Sequence, residues 1–429
     1  MTDKTIHTAL RLYDTAWAVA MPFLRVSTRL KDGFYPRQLR TKTLPDADIW
    51  IQAASGGEAY LAWTLLAQLR PPAPIRILIT TNTRQGMDIL VKAAEELAGT
   101  APGVTIFPAW FPFDRPSIMD KAVSMVTPKL AVLLESEIWP GFLYALKSRN
   151  CPVFIINGRM TPKSMAAYRK FPGAAKTLRP DRILAISNDD AKRFGSVFGG
   201  RGVSVMSNIK FDSLVIAPPN GETQKRTDFT DDMLPAGSPF FVLGSVRREE
   251  ENQITKIIQK IHKNRPDVIT GLFPRHLNRL DRWKKTINDI GLKWRLRSNL
   301  EKPAMPGDVI LWDAFGELSL AYAAAEAVFV GGSLAPLGGQ NFLEPLVYGT
   351  IPVIGPSYEN FAWVGDDIFH KGLVVKTRNH SEAADRLIEQ IDNPAPRTEI
   401  IAKANAFIKT RQGGTRKACE AIEAALRSG

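Results

Sequence analysis

Cysteine and histidine are scarce in this chain: two of the first, Cys151 and Cys419, and five of the second among 429 residues. Two cysteines cannot build a disulfide framework or a zinc site, and they fit a reducing compartment as packing residues. The histidines are scattered without metal-ligand spacing, and the second half holds no Asp-x-Asp cluster, so the sequence predicts no metal and no cofactor. Long apolar runs are missing too. The uncharged stretch from Thr15 to Leu24 is far short of the roughly 20 residues a spanning helix needs. Asp14 and Arg25 close it off and no small-residue cleavage site follows, so it is not expected to be a cleavable signal. Acidic residues are in deficit, 43 against 56 Lys and Arg, for a net charge of +13. That balance suits nucleic acid, anionic lipid or phosphorylated substrates. Nucleic acid is set aside, because there is no arginine-rich arm, zinc finger or aromatic ribonucleoprotein signature.

What is present is the rhythm of an α/β protein. The length exceeds one ordinary core, and two domains of about 200 residues each are expected. Short apolar runs at Ile49–Ala53, Ile75–Thr80, Val104–Phe107, Leu130–Leu134, Val153–Asn157 and Ile183–Ile186 alternate with helical patterns. A polar stretch, Pro218–Ser238, interrupts them. The alternation resumes at Phe240–Leu243, Val268–Phe273, Val309–Leu311, Val328–Val330, Ile351–Ile354 and Leu373–Val375. Such spacing predicts βαβ units, hence two doubly wound parallel sheets joined by a linker, with ligands bound at the carboxyl ends of the strands in a central cleft. The expected division is 1–34 membrane-proximal helix, 35–217 first domain, 218–238 linker and 239–429 second domain.

Leu10, Tyr13, Trp17, Met21 and Leu24 recur at helical spacing. Arg25, Arg29, Lys31, Arg37, Arg40 and Lys42 follow against Asp32 alone. An aromatic amphipathic helix beside a basic collar predicts an interfacial anchor on an anionic membrane surface. The plainer alternative is a helix packed on the protein's own body.

Gly331 to Pro345 is the most informative segment, because the buried strand Ala327–Val330 runs straight into a glycine-rich loop and a helix start near Asn341. Bare backbone N–H groups and a helix dipole there predict a phosphate seat at Gly338, Gly339 and Asn341, with Glu344 one turn on, placed to accept from sugar hydroxyls. Other polar clusters also follow strands. Ser55-Gly56-Gly57-Glu58 reads as a capping box and equally as a general base in a glycine-flanked loop. Arg275 offers a bidentate clamp for phosphate or carboxylate, with His276 beside it, although a surface ion pair is the plainer role. Ser245 offers a hydroxyl and a backbone N–H to a second anion seat. Gly316-Glu317 and Glu135-Ser136-Glu137 likewise stand at carboxyl ends of strands.

The order of these clusters resembles the bacterial 3-deoxy-D-manno-octulosonic acid (Kdo) transferases. The resemblance rests on Ser55-x-Gly57-Glu58, Glu135-Ser136-Glu137-Ile138-Trp139-Pro140, Asn157-Gly158-Arg159-Met160, Asn208-Ile209-Lys210-Phe211-Asp212, Pro274-Arg275-His276, Gly316-Glu317-Leu318 and Gly331 to Pro345. It implies a GT-B fold of two Rossmann-like domains and transfer of Kdo from a CMP-sugar donor to a lipid A precursor. It places a catalytic base on Glu58 and the family's acidic pair on Glu135 and Glu137. The donor side falls on Ser245, Arg275, His276, Gly316, Glu317, Gly338, Gly339, Asn341 and Glu344, and the acceptor side on Ser55, Gly57 and Arg159. It also implies a peripheral or monotopic protein on the cytoplasmic face of the inner membrane. The chain departs from the family pattern at Gln52 and Gly56, at Val246 and Arg247 where Gly-Ser-Thr-His is usual, and at Gln340 and Phe342 where Gly-Gly-His-Asn-Pro is usual.

The expected activity is an inverting, metal-independent glycosyl transfer with Glu58 as base and CMP as leaving group. Two alternatives stay open at this level: a GT-B-shaped nucleotide-sugar 2-epimerase, and an inactive paralogue that binds the lipid A precursor.

Overall fold

The structure is a computed structural model that describes residues 3–25, 33–40, 43–100, 103–136, 138–214, 233–235 and 237–428. The chain divides into two compact units, residues 1–214 with 411–429, and residues 215–410. Apart from 233–235 and 237–238, the expected linker lies outside the described residues.

The first unit carries β1 (Ile49–Gln52), β2 (Ile75–Thr81), β3 (Val104–Trp110), β4 (Leu130–Leu134), β5 (Val153–Gly158), β6 (Arg182–Ala185) and β7 (Val203–Val205). They pair in the order β3-β2-β1-β4-β5-β6-β7, all parallel. Strands β1 and β4 are buried throughout, and apolar except for Gln52, because both sheet faces are covered. Alternate residues divide between the two faces: Ile49, Ile51, Leu130, Val132 and Leu134 pack on one side. Trp50, Ala131 and Leu133 pack on the other.

The second unit repeats the plan with β8 (Phe240–Val246), β9 (Ile269–Pro274), β10 (Trp294–Leu296), β11 (Val309–Leu311), β12 (Ala327–Val330), β13 (Pro352–Ile354) and β14 (Val375–Lys376). The order is β10-β11-β9-β8-β12-β13-β14, again parallel. The strand order reverses at β1/β4 in one sheet and at β8/β12 in the other. Those are the topological switch points where open α/β sheets bind ligands.

Strands β7 and β10 were not expected. Each is three residues long and partly exposed, too short for alternation to register. The strand expected at Leu373–Val375 forms at Val375–Lys376 instead.

One domain expectation is corrected. The last helix, Gly414–Ser428, belongs to the first unit, not to the second. Its Ala418, Cys419, Ala421 and Ile422 complete the core over β1 and β4. The Asp212 carboxylate ties down its start, accepting from Gly413 N–H at 2.7 Å, Thr415 N–H at 2.6 Å and the Thr415 hydroxyl at 2.6 Å. A Cβ on Gly414 would come within 2.1 Å of the Ser207 carbonyl, so glycine permits the approach.

The face expected on the N-terminal helix, Asp3–Leu24, is corrected as well. Tyr13 donates to Asp114 at 3.1 Å, Asp14 pairs with Arg115 at 2.9 Å, and Trp17 stacks obliquely on Phe113. The stripe expected to face a membrane therefore faces the body. Leu12, Val19 and Phe23, on another face, are 68%, 63% and 73% exposed. Of the basic collar, Arg29, Lys31 and Lys42 lie outside the described residues. Among the described residues, no helix is long and apolar enough to cross a membrane.

Candidate active site

The loop after β1 closes on itself. Ser55 caps the helix Gly56–Gln68, its Oγ accepting from Glu58 N–H at 3.4 Å. Glu58 reaches back, accepting from Ala54 N–H at 2.7 Å and from the Ser55 hydroxyl at 3.1 Å. The Ser55 half of the capping-box reading is realised in the geometry, while Glu58 reaches one residue further back, to Ala54 N–H, which leaves the carboxylate buried, 8% exposed, at the switch point of the first sheet. A Cβ on Gly57 would meet only the Ser55 hydroxyl, at 3.9 Å. Packing does not require that glycine.

After β4, Glu135 takes a left-handed backbone, φ +56°, which non-glycine residues seldom adopt. Its side chain accepts from Lys210 at 2.8 Å. Lys210 sits on a 3-10 turn, Ile209–Phe211, built by two asparagines: Asn157 Oδ1 accepts from Ile209 N–H and Asn208 Oδ1 from Lys210 N–H, both at 2.9 Å. The fold thus joins two motifs half a domain apart in sequence. The Ser136 hydroxyl donates to the Arg159 carbonyl, so Arg159 lies against this loop. Glu137 lies outside the described residues.

An apolar cavity of about 420 Å³ borders the same region, lined by Leu10 and Tyr13 of the N-terminal helix, by Ile138 and Pro140 of the β4 loop, and by Phe171 and Leu178. Sequence periodicity did not reveal it, because its walls come from four separate segments.

In the second unit, β8 bulges between Leu243 and Val246, and Ser245 sits in the bulge with φ +56°. Arg275 and His276 follow β9, both exposed. The Arg275 backbone N–H donates to the Val246 carbonyl at 2.8 Å, while its guanidinium pairs with no carboxylate among the described residues. The surface ion pair weighed for Arg275 does not form among the described residues. Glu317 is engaged differently from expectation: it accepts from Arg297 at 2.9 Å and from the Trp312 indole at 2.9 Å, so its lone pairs serve the protein first. Gly316 beside it has φ +88° and open space around it.

The glycine-rich segment is more selective than its sequence suggests. The N–H groups of Gly332, Ser333 and Leu334 all point at the Glu250 carboxylate. Gly338 N–H donates to Ser357 Oγ and Gly339 N–H to the Gly332 carbonyl, both at 2.8 Å. The expected seat at Gly338 and Gly339 is therefore corrected: those two donors are already used. The helix starts at Leu343, near Asn341 as expected, and Asn341 Oδ1 accepts from the Leu343 N–H at 3.2 Å. The N–H groups of Gln340, Asn341 and Phe342 keep no partner among the described residues. Glu344 follows, partly buried and without a hydrogen-bond partner there, and burial pushes its carboxyl above the usual value. Glu250 is the functional candidate that sequence reading missed. Its position, three residues after Arg247 in a run of charges, looks like solvated surface.

Two doubly wound units with these switch-point loops define a GT-B-type protein. Solved structures agree on the fold: a glycosyltransferase from Rickettsia africae ESF-5 superposes with a TM-score of 0.59 at 12% identity, over 90% of this chain and 100% of that one. The UDP-GlcNAc 2-epimerase from Neisseria meningitidis gives 0.57 at 12% identity, over 89% and 100%. Residues 25–213 match the family model described as 3-Deoxy-D-manno-octulosonic-acid transferase (kdotransferase). A 3-deoxy-D-manno-octulosonic acid transferase from Bordetella pertussis is 29% identical over 388 residues, 88% of this chain and 87% of that one. Its counterpart from Haemophilus influenzae is 28% identical over 391 residues, 90% and 88%. The chain is thus similar to the Kdo transferases, by family model over residues 25–213 and by relatives of 28–29% identity over nearly all its length.

Proposed function

We propose that this protein moves Kdo, or a related ulosonic acid, from a CMP-sugar to a lipid A precursor at an anionic membrane surface, with inversion and without a metal. The observation that carries the donor half is the pairing of free donors with a free acceptor in the second unit. Among the described residues Arg275 has no ion-pair partner, the Gln340–Phe342 N–H groups are unengaged, and Glu344 has no hydrogen-bond partner that would keep it from sugar hydroxyls. Phosphate binds such convergent donors through charge-assisted hydrogen bonds.

For the transfer, Glu58 takes the proton of the acceptor hydroxyl as that oxygen bonds to the anomeric carbon. The bond from that carbon to the CMP oxygen breaks, and CMP leaves with the electron pair, its charge held by Arg275. Glu58 already holds its carboxylate still through Ala54 and Ser55, at the end of β1 where a ligand is expected. The apolar cavity beside the β4 loop suits an acyl chain of the acceptor. The exposed Leu12, Val19 and Phe23 suit the membrane interface.

The test is CMP release from CMP-Kdo with and without a lipid A precursor, in the wild type and in Glu58→Gln. Release that requires the acceptor and falls about 100-fold in the variant supports the reading. Acceptor-independent turnover of a nucleotide sugar would point to an isomerase, and CMP-Kdo binding without release to an inactive binder.

A further inference from the structure

Glu250 is completely buried, and backbone donors enclose its carboxylate. Oε1 accepts from Arg247 N–H at 2.9 Å and from Gly332 N–H. Oε2 accepts from Ser333 N–H and Leu334 N–H, each at 3.2 Å. These donors come from two loops that leave neighbouring strands, β8 and β12, at the switch point of the second sheet. Successive N–H groups converging on one point form an anion nest. In this protein the nest is filled by a carboxyl of its own, which burial pushes above the usual value against the pull of the four N–H groups.

The two limbs of the glycine-rich loop are tied to that nest. Gly339 N–H donates to the carbonyl of Gly332, which Glu250 holds on its other side. The Ser333 hydroxyl accepts from Gly355 N–H at 2.9 Å, and the Ser333 carbonyl accepts from Ser357 N–H at 3.0 Å. Ser357 Oγ in turn accepts from Gly338 N–H at 2.8 Å. The approach is close: a Cβ on Gly331 would lie 2.7 Å from Glu250 Oε1 and 2.7 Å from the Ser245 carbonyl.

We infer that Glu250 is a positioning residue for the donor seat: it fills the first limb of the glycine-rich loop as an internal anion, and so fixes the second limb with its Gln340, Asn341 and Phe342 N–H groups unengaged. The donor phosphate is thereby directed to the second limb and excluded from the first. This rests on the donor-binding reading above. Charge and acceptor count both matter, because a glutamine would place an NH₂ group against two N–H donors in either orientation of its amide.

The test uses the full-length chain carrying Glu250→Gln, with two measurements. Hydrogen–deuterium exchange needs no ligand. The amides of Gly332, Ser333, Leu334 and Gly339 should exchange at least about 10-fold faster than in the wild type, with the rest of the second sheet unchanged. In turnover, KM for the CMP-sugar should rise about 10-fold with kcat within about twofold. A merely structural role would lower kcat at constant KM and raise exchange across the whole unit, and that pattern overturns the inference. Should Glu250→Gln not fold, Gly331→Ala keeps the carboxylate and wedges the loops apart, with the same outcomes expected. Unchanged exchange at residues 332–334 overturns the positioning role whatever the donor is. A wild-type chain that does not bind CMP overturns the donor reading, and this role with it, even where exchange shows the loop held.

Discussion

Lys210 Nζ lies 2.8 Å from Glu135 Oε1, across 75 positions of sequence. The pair closes a circuit in which Asn157, at the end of β5, holds the turn that carries Lys210. Both side chains are only partly exposed, 32% and 21%, so the pair is screened but not fully hydrated. A left-handed residue that is not glycine has a backbone cost, and the surrounding contacts must sustain it.

Lys210→Ala should therefore cost about 1 kcal/mol of unfolding free energy, typical of a screened pair. Turnover should fall further, by about 10-fold, because Glu135 loses its orientation in the loop after β4, the strand paired with the one that leads to the candidate base. Urea denaturation and CMP release on one preparation check both. A rate loss no greater than the loss of folded protein would make the pair purely structural.

Gly57→Ala separates packing from binding. The new methyl would meet only the Ser55 hydroxyl at 3.9 Å, in the first turn of a helix where alanine is favoured. Thermal stability should be unchanged or slightly raised, while transfer drops by about 10-fold or more as the methyl enters the space beside Glu58. Full activity would show that no ligand approaches there.

Arg275→Lys keeps the charge and loses the fork. CMP affinity measured by calorimetry should weaken by at least about 1 kcal/mol. Since the guanidinium has no carboxylate partner among the described residues, folding stability should stay within about 0.5 kcal/mol. An unchanged affinity would place Arg275 outside the donor seat.

The N-terminal helix offers a face-by-face test. Replacing Leu12, Val19 and Phe23 with serine should abolish sedimentation with anionic liposomes at low salt and leave stability intact, because all three are exposed. Tyr13→Phe should do the reverse, loosening the helix from Asp114 without releasing the protein from liposomes. Sedimentation that survives the triple change would remove this stripe from the membrane reading.

His262 sets an acid limit. It is buried against Thr270, at 2.8 Å, and burial pushes its pKa down from 6.5 to about 4. The unfolded chain takes up a proton on this residue that the folded chain refuses, so stability is complete above about pH 6.5 and is lost as pH falls toward 4. The loss amounts to up to about 3 kcal/mol at 1.36 kcal/mol per pKa unit. His262→Gln should flatten that part of the curve, as measured by urea unfolding at pH 7, 5.5 and 4.5. Parallel curves for the two proteins would mean that His262 is not the titrating group.

The sequence by itself determined the class of fold. Runs such as Leu130–Leu134 and Val309–Leu311 are short, apolar on both faces and spaced by helices, and only a covered parallel sheet satisfies them. It also determined which loops end at the carboxyl edge, since the polar clusters at Ser55, Glu135, Ser245, Arg275 and Gly331 each follow such a run. The tertiary structure decided which of those polar groups are already spoken for. Glu58 and Ser55 satisfy each other locally, as their three-residue spacing announced. The Lys210–Glu135 and Glu250–Gly332 bonds, by contrast, span 75 and 82 positions. Hydrogen-bond donors and acceptors carry no mark of their partner in the sequence, and pairing across such separations is set by where the strands end in space. For the same reason the periodicity of the first helix announced an apolar stripe without saying whether a membrane or the body would cover it, and only the docking of Tyr13 on Asp114 settled it.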